Sequence, residues 1–186
     1  MSKFLLINIL VRHNVDYNFL NSLKKLDASK FDVVIYDYRP NVISTSHEDD
    51  KSTIESEYDV IEFGFDEYDS HQEQIKKEAQ SRSVKALCIV GDDEIELCDT
   101  FFDYVTDDLF DDENIACVYS DYCGVVEGSE FPIFLSSMPI STDLSLIVFR
   151  AATYIASGKT ANELLSSFIS IHIPEHLYKK QIHGKK

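Results

Sequence analysis

The chain has 186 residues, 44% hydrophobic and 27% charged, with 33 acids against 17 bases and a formal net charge of −16. That length and apolar content suit one folded domain with a sizeable core. The excess of acid disfavours a nucleic-acid partner, because backbone binding draws mainly on Lys and Arg.

"FLLINILV" (4–11) reads as a first strand buried on both faces. With its flanks it is too short, and too broken by Asn8 and Arg12, to span a bilayer, and no small-residue cleavage site follows. No transmembrane segment is expected. In "DYNFLNSLKKL", Phe19, Leu20, Leu23 and Leu26 share one helical stripe. "FDVVIYD" (31–37) is a second strand ending in Asp37, which makes a βαβ unit and a parallel pair. The polar stretch 38–57 is a loop with room for a short helix. "YDVIEFGF" (58–65) is a third strand, and 70–83 a polar helix with Ile75 and Ala79 inward.

"ALCIV" (86–90) is the fourth strand, followed at once by Gly91 and the acids Asp92, Asp93 and Glu94. Leu97, Phe101, Val105 and Leu109 recur every four residues and predict one helix with an acidic outer face. "NIACVYSDYCGVV" (114–126) is a strand, "FPIFLSSMPI" is irregular, and 144–158 begins as strand and turns helical. "ANELLSSF" is a short helix, and "ISIHIPEHLY" (169–178) a last extended segment before a frayed basic tail, 179–186. The alternation predicts an α/β fold: a single domain over 3–178 with a mostly parallel central sheet flanked by helices. Four cysteines (Cys88, Cys98, Cys117, Cys123) form no Cys-x-x-Cys pair and sit in or beside apolar segments, as reduced packing residues of a cytoplasmic protein do.

Neither G-x-G-x-x-G nor G-x-x-x-x-G-K-[ST] occurs, so any nucleotide here is not held by a glycine-rich phosphate loop. A hard cation bridging carboxylate and diphosphate is the main alternative, and Asp oxygens suit Mg²⁺ or Mn²⁺. In open α/β sheets ligands bind outside the carboxyl ends of strands. Asp37 and Asp92/Asp93 stand there. The bland account of the acids is a polar turn capping the next element.

The order of motifs resembles the nucleotide-sugar half of glycosyltransferases of the GT-A fold, particularly the large inverting family two. "ILVRHN" ends its strand near Asn14, "VVIYD" ends in Asp37, "VGDDEIEL" matches part of an Asp-x-Asp-Asp motif, and "CVYSDY" and "HIPEHLY" follow in order. The resemblance covers residues 3 to about 180. It implies a nucleotide-diphosphate sugar held by Asn14, Asp37, Asp92 and Asp93, Mn²⁺ or Mg²⁺ on Asp92 and Asp93, and transfer to an unknown acceptor. It departs where the first acid of Asp-x-Asp falls on Val90; reading Asp92-Asp93-Glu94 as the motif restores two carboxylates but shifts the register by two. The family's late general base maps to Glu163 in "TANELL", with Asp143 second, and Glu163 equally reads as a solvated helix residue. Arg12, His13, Lys76 and Lys77 could approach phosphates or be ordinary surface charge. His172 and His176, four apart, would suit a metal only on a helix, which Pro174 opposes. A catalytically inactive GT-A-like binding or docking module is the alternative. A third option is an acidic surface over 92–113, with eleven acids and no Lys or Arg, facing a basic partner.

Overall fold

Alternation sorts the first strand. Leu5, Ile7, Ile9 and Val11 point to one face, and Leu6, Asn8 and Leu10 to the other, all buried. The computed structural model describes residues 3–12, 15–39, 54–63, 71–91, 94–135, 145–157, 163–164 and 169–183. Its strands are β1 (Leu5–Val11), β2 (Phe31–Asp37), β3 (Asp59–Glu62), β4 (Ala86–Val90), β5 (Ile95–Leu97), β6 (Ile115–Val126), β7 (Ser129–Ile133), β8 (Ile147–Arg150) and β9 (Ile169–Gln181). They form one nine-stranded sheet, ordered β3-β2-β1-β4-β8-β6-β9-β5, with β7 beside β6. The first four strands are mutually parallel, β8 reverses, and β6 and β9 resume the original direction. Six of the nine strands therefore run one way, as the sequence pattern predicts.

Helices cover both faces. On one side α1 (Tyr17–Leu23) buries Phe19, Leu20 and Leu23, and Leu26 packs just beyond it. Asp16 caps that helix, its side chain accepting the N–H groups of Asn18 and Phe19. On the other side α2 (His71–Arg82) buries Ile75 and Ala79 beside α4 (Ala151–Ser157), which contributes Tyr154. No helix among the described residues is long and apolar enough to cross a membrane. Cys88 and Cys117 are core residues, and burial pushes their thiols up to about 12 and about 11, so they pack rather than react.

The four-residue repeat after β4 does not make one helix. Leu97 closes β5, Phe101–Tyr104 form a single turn (α3), and Val105 turns extended at φ −92° and ψ 90° before a 3₁₀ turn at Asp107–Phe110. A continuous helix would set Asp103, Asp107 and Asp111 four apart on one exposed face, where like charges repel. Asp is also a poor helix former. Leu97, Phe101 and Val105 still reach the core, each by a different backbone. From Asp103 onward the acids are exposed.

Two further differences concern edges. The "irregular" stretch begins inside β7, whose last three residues are Phe131–Ile133 and which pairs to β6 through a turn whose residues Glu127 and Gly128 both have positive φ, 47° and 80°. The tail is not frayed from residue 179: β9 runs to Gln181, with Lys179 and Lys180 paired to β5 and β6.

Asn8 sits fully buried at mid-strand. Its Nδ2 donates to the Cys88 carbonyl at 3.0 Å, and Tyr36 donates to its Oδ1 at 3.0 Å. Tyr36→Phe orphans that oxygen and should cost about 1–3 kcal/mol in a denaturant melt. Exposed Tyr104→Phe should shift stability by less than about 0.5 kcal/mol. Equal effects from the two would mean the buried pair contributes nothing.

Candidate functional site at the carboxyl ends of the strands

Register places the parallel strand ends together. Val11 of β1 pairs with Asp37 of β2, and Ile9 pairs with Val90 of β4, so β2 and β4 end on either side of β1 at one rim. Asp37 closes β2, but its carboxylate is already engaged. Arg39 donates from Nη2 to Oδ2 at 2.6 Å and from Nε to Oδ1 at 3.0 Å, and its backbone N–H meets Oδ1 at 2.9 Å. The pair is little exposed, at 12% for Arg39 and 10% for Asp37. Asn14, Asp92, Asp93, His13 and Asp143 lie outside the described residues.

Asp16 joins the segments that border this rim. One oxygen caps α1 at 3.0 and 3.1 Å, and Oδ2 accepts the N–H of Ile95, the first residue of β5, at 3.0 Å. Burial pushes its carboxyl up, against the lowering effect of the three backbone donors. Sequence reading passed Asp16 by, although an Asp just ahead of an apolar helical stripe is an N-cap signal.

Farther along the sheet, Asp121 of β6 is buried, its side chain 3% exposed, and lies 2.7 Å from Nε2 of His172 on β9. The backbone N–H of Leu135 donates to the same oxygen at 2.7 Å. The ladder shifts register on both sides of Asp121, where Ser120 pairs with Ile173 but Asp121 pairs with His176. Such bulges re-aim side chains. A lone Asp inside an apolar strand run was the available signal, since a buried carboxylate needs partners.

Glu163 is exposed beside buried Leu164 on the helical pair 163–164. Arg12 and Lys77 are exposed, and Lys76 bonds Glu73 at 3.3 Å on α2, as ordinary helix-surface charge does. His172 and His176 lie on a strand, and no group of three His, Cys, Asp or Glu side chains among the described residues could hold a metal. A groove of about 420 Å³ opens at the opposite edge, lined by Lys3, Lys24, Asp32, Glu57 and Tyr58. Both of its lysines are paired, Lys3 with Asp32 and Lys24 with Glu57. The rim, not the groove, is where open α/β sheets take ligands.

No family model and no curated protein matches the chain. Solved structures do. Residues 1–349 of TarS from S. aureus, in complex with UDP-GlcNAc, superpose with a TM-score of 0.63 at 12% identity, over 98% of this chain and 60% of that one. The mannosyltransferase PcManGT from Pyrobaculum calidifontis, in complex with GDP-Man and Mn²⁺, gives 0.61 at 8%, over 98% and 57%. The 4-diphosphocytidyl-2C-methyl-D-erythritol synthase from Anaerococcus prevotii gives 0.51 at 9%, over 96% and 88%. The chain thus has the GT-A-like fold of nucleotide-sugar transferases, and spans about 60% of the TarS fragment.

Proposed function

We propose that the chain transfers a sugar from a nucleotide-diphosphate donor to an acceptor hydroxyl, with Mn²⁺ or Mg²⁺ on Asp92 and Asp93. The observation that carries this reading is the shared rim of β1, β2 and β4, in a fold like that of structures bound to UDP-GlcNAc and to GDP-Man with Mn²⁺. The nucleoside end would meet Asn14 and Asp37. The described residues by themselves supply no metal group, so the cation is assigned to Asp92 and Asp93 on the resemblance. When bound, it would offset the charge of the departing diphosphate. The resemblance nominates Glu163 to take the acceptor's proton, and on that ground alone.

A second reading, a nucleotide-binding module without turnover, is favoured by Val90 at the first acid position and by Asp37 already held by Arg39. A melting-temperature screen of UDP-GlcNAc, GDP-mannose and CTP, each with and without Mn²⁺, tests both, because a ligand that binds the folded state raises apparent stability. A gain accompanied by donor consumption selects the transferase. A gain without consumption selects the module, and no gain with any nucleotide defeats both.

A further inference from the structure

We infer that the acceptor's proton passes to His172, held by Asp121, and not to Glu163; this rests on the transferase reading above. Asp121 as a carboxylate has no proton to give, so Nε2 of His172 carries the hydrogen across the 2.7 Å contact. In the neutral ring that leaves the lone pair on Nδ1, which no hydrogen bond engages among the described residues. The ring is fixed from a second side by stacking on Tyr119, with centroids 5.1 Å apart and planes 19° from parallel. About 29% of the side chain remains open to solvent. A buried acid orienting a half-exposed imidazole is the arrangement that general-base catalysis uses. His176, paired to Asp121 in the ladder, adds a buried Nε2 with no partner among the described residues. Such an atom at a strand bulge asks for a ligand or a water.

The pair also lies at a suitable distance from the proposed nucleoside end. Val33, Ile7, Cys88, Val148 and Val118 are level across the sheet. Asp37 lies four residues beyond that line, Asp121 three, and His172, level with Tyr119, one, toward the same rim. Four strand spacings separate β2 from β6, about 19 Å in all. A donor laid along the rim, nucleoside at β2 and diphosphate outside β4, puts its sugar beyond the start of β8 and alongside the middle of β6, which runs on to Val126. The acceptor oxygen bonds to the anomeric carbon as the bond from that carbon to the diphosphate oxygen breaks. The diphosphate leaves with the electron pair. The hydroxyl proton ends on Nδ1, and Asp121 balances the imidazolium.

The full chain is assayed with UDP-GlcNAc and GDP-mannose plus Mn²⁺, following both transfer and donor hydrolysis. His172→Gln should lower kcat by about 10²–10⁴ with the donor KM unchanged. Asp103→Asn, at an exposed position outside the proposed site, should stay near the parent rate. His172→Phe keeps a ring on Tyr119 and should be folded yet equally slow, which separates lost chemistry from lost structure. Free imidazole should restore turnover to His172→Gly. Asp121 is a positioning residue, so Asp121→Asn should lower kcat in the same sense. A folded His172→Gln with the parent's kcat, or loss of turnover in Glu163→Gln alone, overturns the assignment. A parent that neither transfers nor hydrolyses removes the transferase reading and this inference together; an active parent with an active His172→Gln removes the inference only.

Discussion

Asp92→Asn is expected to abolish the Mn²⁺-dependent part of the nucleotide's stabilising effect while leaving the unliganded melting temperature unchanged. A ligand at a hundred times its Kd contributes about 2.7 kcal/mol to the folded state. For a domain of this size that amounts to a gain of roughly 5–10 °C. The amide keeps the carboxylate's size but gives a hard cation a neutral oxygen in place of a charged one. Asp93→Asn should weaken the response in the same direction. Exposed Asp103→Asn, in the acidic run but distant from the rim in sequence, should leave it intact. If Asp92→Asn responds to Mn²⁺ and nucleotide as the parent does, Asp92 is not a ligand and the cation belongs elsewhere.

Legibility in the sequence followed burial. β2 and β4 match the expected bounds because each is a short apolar run covered on both faces. The helix at 71–82 was readable from two inward residues, Ile75 and Ala79. Elements built on exposed or mixed residues were not. β5 is three residues long with Glu96 in the middle, and its neighbours belong to a helical repeat, so periodicity pointed the wrong way. Four of the five residues of β7 are exposed, Pro132 among them, and its turn puts Glu127 in a left-handed conformation that Asn or Gly usually takes. Pro174 concealed the length of β9, since the ladder passes it by a register shift. The rim carboxylates could be named from strand ends and resemblance. Asp121 could not, because its role depends on His172, 51 residues away and brought alongside only by the pairing of β6 with β9.

Asp37 has two possible employers, the nucleoside and Arg39, and one pair of variants separates them. Asp37→Asn removes the charge that faces a guanidinium only 12% exposed. Breaking one side of such a nearly buried pair should cost about 3 kcal/mol, because the guanidinium loses a two-oxygen carboxylate contact in a poorly solvated place. In a domain of this size that lowers the melting temperature by roughly 6–12 °C. Arg39→Gln combined with Asp37→Asn removes both charges and should recover at least about 1 kcal/mol of the loss, as coupled neighbours do in a double-mutant cycle. The nucleotide response is then read on the stabilised double variant. If Asp37 also contacts the donor, the gain in melting temperature with UDP-GlcNAc or GDP-mannose stays lost even though part of the stability has returned. That is the expected result, since Asp37 ends its strand on the rim beside β1 and Arg39 would turn with it toward an incoming ribose or phosphate. A double variant that regains stability and keeps the parent's nucleotide response would assign Asp37 to the fold alone.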